Sequence, residues 1–137
     1  MGARVVAITG GHGELGRAVT AAALSQGWRV AIIDHATGRT APEGTLELGG
    51  IDLLNIAGGF VWQTVDDDRP AWDRMYALNL TTALNCCRAA LPHLKQSDAG
   101  RIVNVGANGA LKSAAGMGAY AASKSAVHRL TESLAEE

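Results

Sequence analysis

Apolar residues in this chain gather in short unbroken runs separated by glycine-rich turns and by longer stretches with helical spacing. Val5-Val6-Ala7-Ile8 is the first run, the pattern of a parallel strand buried on both faces. Thr9 to Gly16 follows as a turn, and Arg17 to Gln26 reads as a helix with Leu15, Val19, Ala22 and Ala23 on one face. Gly27 stands where a helix stop is expected. Trp28 to Asp34 is a second apolar strand that ends in an acid, which makes one strand–helix–strand unit and predicts a parallel sheet with a right-handed crossover. Residues 35–50 are polar and contain Pro42, with a short strand expected near Leu46–Leu48. Ile51 to Ala57 is strand-like and closes on Gly58-Gly59. Pro70 to Lys95 is helical, with Pro92 expected to bend or end it. Arg101 to Val105 is another buried strand, and Ala119 to Glu137 returns to helix. Alternation of this kind predicts an α/β fold with a doubly wound parallel sheet, formed by a single domain over 1–137.

Composition narrows the function classes. Of the 137 residues 47% are hydrophobic and 18% charged, enough to bury a core and too apolar for a disordered chain. A net charge of −1 argues against nucleic acid or an anionic membrane as partner. No apolar run reaches the roughly 20 residues of a membrane span. Met1-Gly2-Ala3-Arg4 leads straight into a strand without the features of a signal peptide, so a cytoplasmic location is expected. Cys86 and Cys87 are neighbours, which suits neither an ordinary disulfide nor a metal site, and no two histidines have metal-ligand spacing, so no metal is expected. Gly accounts for 17 residues, and these cluster at strand ends, where tight turns are needed.

Two constellations carry candidate chemistry. A glycine-rich turn between strand and helix lets a diphosphate approach the backbone and sit on the helix N-terminus. Gly10, His12, Gly13, Glu14, Leu15 and Gly16 occupy that turn. Asp34, at the end of the next strand, is placed to accept hydrogen bonds from the adenosine ribose and to repel a 2′-phosphate, which favours NAD(H) over NADP(H). His35 beside it is a candidate to pack on the adenine. The second constellation is Tyr120-Ala121-Ala122-Ser123-Lys124, which sets Tyr and Lys at i and i+4 on one helical face. A phenol ordinarily titrates near 10, and a nearby ammonium stabilises the phenolate for acid–base work at neutral pH.

Taken with Asn55-Ile56-Ala57-Gly58 and Leu78-Asn79-Leu80, these motifs resemble the short-chain dehydrogenase/reductase family over nearly the whole chain. By that resemblance Tyr120 is the proton donor or acceptor, and Lys124 tunes it and binds the nicotinamide ribose. Asn79 interrupts its helix and holds a water in a proton relay. Asn55, Ala57 and Gly58 line the adenine and ribose side of the cleft, and Asp52 approaches the adenine. The resemblance also implies a small-molecule substrate and a homodimer or homotetramer built through the long helices. Three departures stand out: Glu14 where the turn usually has Gly, Ile56 for a second Asn, and Ala107 where a carbonyl-polarising serine is expected. The style Gly-Gly-His-Gly-Glu-Leu-Gly, with Tyr and Lys but no serine, is similar to the dihydropteridine-reductase type, whose quinonoid substrate has less need of that hydroxyl. Phe60 and Trp62 are candidates to flank such a flat ring. Asn108 or Ser113 is a candidate replacement for the serine, which keeps a carbonyl or alcohol substrate open. A catalytically silent nucleotide-binding or scaffold protein of the same fold is the rival reading.

The family's chains run to about 250 residues, the upper range of one domain, so a missing C-terminal part is expected. Asp52 resembles the end of a third strand and Asn55 the start of a fourth. Parallel neighbours need a crossover of a dozen or so residues. A break is therefore expected within Asp52–Asn55, between Leu53 and Leu54, with a crossover helix missing there and the Rossmann-like fold incomplete.

Overall fold

The computed structural model describes residues 4–34, 51–55 and 68–137, the strand at 51–55 by its backbone alone. The chain divides into two compact units, Met1–Ala57 with Cys86–Val103, and Gly58–Asn85 with Asn104–Glu137.

The first unit is built on a sheet. Strands β1 (Val5–Thr9), β2 (Arg29–Ile33), β3 (Ile51–Asn55) and β4 (Arg101–Asn104) lie in the order β2-β1-β3-β4. β1 is central and buried along its whole length, as its unbroken apolar run predicts. Helix α1 (Glu14–Ser25) follows it, and Val6, Ile8 and Ala23 form a core against which Val19, Trp28 and Val30 pack. Gly27 takes φ +73° just beyond the helix, a conformation that a Cβ resists. The face of α1 that is buried differs from the sequence expectation: Gly16 and Ala23 are buried, whereas Leu15 is 52% exposed and Ala22 is exposed too. Residues 15 and 22 share a stripe, but Gly16 lies against the backbone of Gly10 and Gly11, and the neighbouring stripe faces inward.

β3 pairs with β1 residue by residue, in parallel, from Val5 with Ile51 to Thr9 with Asn55. The backbone runs on through Leu53 and Leu54, where a break was expected. Asp52 and Asn55 belong to one strand with Leu53 and Leu54 between them, and no crossover is needed there. β2 and β3 lie on opposite sides of β1, so the strand order reverses between β1 and β3, and it is beside the carboxyl ends at such a reversal that ligands bind in open α/β sheets.

In the second unit, helix α2 (Arg69–Tyr76) is capped by Asp68, whose side chain accepts from the Ala71 N–H at 3.0 Å. A π-helical turn, Ala77–Thr81, links it to α3 (Thr82–Leu94), whose later part belongs to the first unit. Pro92 neither ends nor interrupts α3, which continues to Leu94. Helix α4 (Gly118–Ala135) packs on α2 and the π turn, burying Ala119, Ala121, Ser123, Lys124 and Val127. Among the described residues no helix is long and apolar enough to cross a membrane.

Candidate active site

In the first unit the turn after β1 is held by its own backbone. Gly10 has φ +69°, and its N–H donates to the Ile33 carbonyl at 2.9 Å while its carbonyl accepts from Gly13 at 3.1 Å. Gly16 packs against the turn itself: a Cβ there would sit 2.1 Å from the Gly10 oxygen. A Cβ at Gly11 would meet Ile32 Cγ2 at 2.5 Å. Gly13 is the N-cap of α1 and supplies no side chain, so the first N–H groups of the helix have no intrahelical acceptor. Glu14 and Leu15 occupy the exposed first turn of α1. Asp34, just beyond β2, accepts the His12 backbone N–H on Oδ2 at 3.0 Å. The Arg17 Nε donates to the His12 carbonyl at 2.8 Å.

Gly10, His12, Gly13, Glu14, Leu15, Gly16 and Asp34 form one neighbourhood at the carboxyl end of β1 and β2. Asn55 pairs with Thr9, so its backbone lies at the same end of the sheet. Asp52 does not. It pairs with Val6, three residues back along β3 at roughly 3.3 Å each, toward the amino end of the strand. His35, Ala57, Gly58, Phe60 and Trp62 lie outside the described residues.

In the second unit the π turn brings Asn79 inward until it is 1% exposed. The Ala77 carbonyl accepts twice from Thr82, from its backbone N–H across the widened turn and from its hydroxyl at 3.0 Å. Asn79 Nδ2 donates to Ser123 Oγ at 3.0 Å and lies 3.0 Å from Met75 Sδ. The Ser123 hydroxyl in turn donates to the Tyr120 carbonyl at 2.8 Å, the back-bond open to a serine in a helix. Lys124 is 6% exposed and its Nζ donates to the Val105 carbonyl at 3.0 Å. Burial of the ammonium pulls its pKa below the ordinary lysine value. Tyr120 is half-buried, its ring set over Gly109, where a Cβ would lie 3.6 Å from Cε1.

Tyr120, Lys124 and Asn79 therefore share one unit, Tyr and Lys one turn apart on α4 and Asn79 joined to that turn through Ser123. Ala107 is extended at the start of a 3-10 turn, Asn108–Ala110. Asn108 and Ser113, the candidate replacements for a serine, are both exposed, and the Ser113 hydroxyl lies 3.5 Å from the Ala114 carbonyl. Sequence reading passed over Ser123, Arg17 and the Val105 carbonyl. Ser123 had a signal, its spacing of three from Tyr120; a backbone carbonyl has none. Among the described residues no group of three or more His, Cys, Asp or Glu is arranged to hold a metal ion.

Comparison with known proteins places these features in a family. The family model described as short chain dehydrogenase matches residues 43–137. The 2-(S)-hydroxypropyl-CoM dehydrogenase 3 of Xanthobacter autotrophicus is 32% identical over 165 aligned positions, covering 97% of this chain and 65% of that protein. That alignment is longer than this chain, so the relative carries residues within it that have no counterpart here. The chain thus spans just under two thirds of that relative, and 62% of the short chain dehydrogenase adrF of Penicillium rubens, to which it is 35% identical. A short chain dehydrogenase of Streptomyces avermitilis superposes with a TM-score of 0.86 at 24% identity, over 98% of this chain and 60% of that one. From its glycine turn to its Tyr–Lys helix, the chain belongs to the short-chain dehydrogenase/reductase family.

Proposed function

We propose that the chain carries the dinucleotide-binding turn and the acid–base pair of an NAD(H)-linked oxidoreductase acting on a small organic substrate. The observation that carries this reading is the buried Lys124 ammonium one helical turn from Tyr120. The first unit suits a dinucleotide: a glycine-rich turn, N–H groups at the start of α1 that the N-cap Gly13 leaves without a side-chain cap, and an acid at the end of β2. Gly10, Gly13, Leu15 and Gly16 would hold the diphosphate, and Asp34 the adenosine ribose, with NAD(H) favoured over NADP(H) on charge. When bound, the nicotinamide supplies or accepts the hydride. Tyr120 donates or accepts the proton at its hydroxyl. The Lys124 cation lowers the cost of the phenolate, and binds ribose in the same reading. Asn79, through Ser123, fixes the carbonyl of Tyr120 and with it the first turn of α4.

The substrate classes in view are a carbonyl or alcohol and a quinonoid dihydropterin, with Ala107 favouring the second. In this reading the protein is cytoplasmic and forms a homodimer or homotetramer through its long helices.

Tyr120→Phe tests the assignment. It removes the hydroxyl and keeps the ring, so cofactor affinity should hold while turnover falls roughly 10²–10⁴-fold. A variant within twofold of wild type would remove Tyr120 from the mechanism. The same assay, run on ketones, alcohols and quinonoid dihydropterin, separates an enzyme from a silent binding protein. Ala107 is the observation that favours the silent reading, and cofactor binding with no turnover on the whole panel would establish it.

A further inference from the structure

The end of β2 and the turn after β1 are joined by a bond that ribose recognition does not require. The His12 N–H donates to Asp34 Oδ2 at 3.0 Å across twenty-two residues of chain, in a partly buried setting. The His12 carbonyl accepts from Arg17 Nε at 2.8 Å. One residue earlier than Asp34, the Ile33 carbonyl accepts from Gly10 at 2.9 Å. His12 stands between Gly11 and Gly13, so the neighbours on either side add no side chain to restrain it.

We propose that Asp34 is a positioning residue for the diphosphate turn as well as the ribose ligand, so that cofactor affinity and cofactor preference run through one carboxylate. This rests on the NAD(H) reading above. A turn with glycine at 10, 11, 13 and 16 has more backbone freedom to lose than any other composition. An N–H bond to a carboxylate is roughly twice as strong as one between neutral groups. Taking that acceptor away leaves the amide of His12 without it in a partly buried place, and the turn must then be ordered when the cofactor binds. Binding is weakened whatever the cofactor carries on its 2′ oxygen.

Two substitutions divide this role from simple charge repulsion. Asp34→Ala removes both charge and acceptor. Asp34→Asn removes the charge and keeps a carbonyl oxygen within reach of the His12 N–H. Dissociation constants for NADH and NADPH are measured by cofactor fluorescence on the full chain, with circular dichroism to establish that each variant is folded. Asp34→Ala should bind NADPH about tenfold more weakly than Asp34→Asn does, the scale of a lost hydrogen bond to a charged group, because both variants lose the charge and only the first loses the acceptor. Asp34→Asn should bind NADPH at least as well as wild type does. Exchange of the His12 amide in the cofactor-free protein should quicken about tenfold in Asp34→Ala and stay near wild type in Asp34→Asn. If Asp34→Ala gains NADPH affinity as fully as Asp34→Asn, with the His12 amide still protected, the positioning role is overturned. If wild type binds neither cofactor, the NAD(H) reading fails; the bond between Asp34 and the turn is then judged by amide exchange alone, and equal exchange in wild type and Asp34→Ala overturns it.

Discussion

Substituting Gly16 with alanine sets helix propensity against packing, and the structure decides which wins. Alanine inside a helix is favoured over glycine by about 1 kcal/mol. The new Cβ, however, would lie 2.1 Å from the Gly10 oxygen, 2.7 Å from Gly11 Cα and 2.8 Å from Gly11 C. All three are backbone atoms, so no flexible side chain can swing aside. Carbon contacts are comfortable at roughly 3.5–4.0 Å, and relief needs α1 to retreat from β1 by about 1 Å. At that separation a dispersion contact forfeits about a quarter to a half of its well. The contacts affected are those of Val19 and Ala23 over Val6 and Ile8, the core of the first unit. Overpacking of this kind costs about 1–3 kcal/mol or more. A clash with three backbone atoms belongs at the upper end, which leaves a net loss of about 2 kcal/mol after the propensity gain. Gly13→Ala is the control, because its Cβ meets the Gly10 oxygen at 3.4 Å and only the weaker N-cap preference is lost, about 0.5 kcal/mol. Urea unfolding midpoints of the two variants, with an NADH titration alongside, measure the difference. Equal stability of Gly16→Ala and wild type, or a larger loss in Gly13→Ala, would refute the packing argument.

Two further outcomes follow from the second unit. Burial lowers the pKa of Lys124, so between its folded value and the ordinary 10.5 the native state binds fewer protons than the unfolded chain, and stability rises with pH across that window. Lys124→Met removes this rise; unfolding midpoints followed from pH 7 to 10.5 should climb in wild type relative to the variant, and parallel curves would contradict it. A Cβ on Gly106 would lie 2.3 Å from His128 Nε2, so Gly106→Ala should cost about 1 kcal/mol, and adding His128→Ala should recover most of the loss. Strict additivity in the unfolding free energies of that double-mutant cycle would show that the two positions do not meet.

Alternating runs, turn glycines and helical spacing determined the order of strands and helices, because each is a property of residues a few positions apart. Gly10, Gly16 and Gly27 were legible for that reason: each answers to a steric demand at its own turn. The i, i+4 spacing of Tyr120 and Lys124 was legible too, since a helix puts such residues on one face wherever it packs. The partners of β3 were not. A strand-like run such as Ile51-Asp52-Leu53-Leu54-Asn55 announces a strand without stating its neighbours, and so Asp52 and Asn55 were assigned to two strands when their register with β1 makes them one. The inward face of α1 turned on the approach of Gly16 to Gly10, a contact of backbone with backbone that hydrophobic periodicity does not encode. Asn79 was expected to interrupt its helix, but the π turn that does so and the hydrogen bond to Ser123, forty-four residues away, exist only where α4 packs on that turn. The link from Asp34 to His12 is of the same kind. Local sequence carries period and chirality; which buried donor meets which acceptor is decided by the packing of distant segments, since burial is what makes leaving either one unpaired costly.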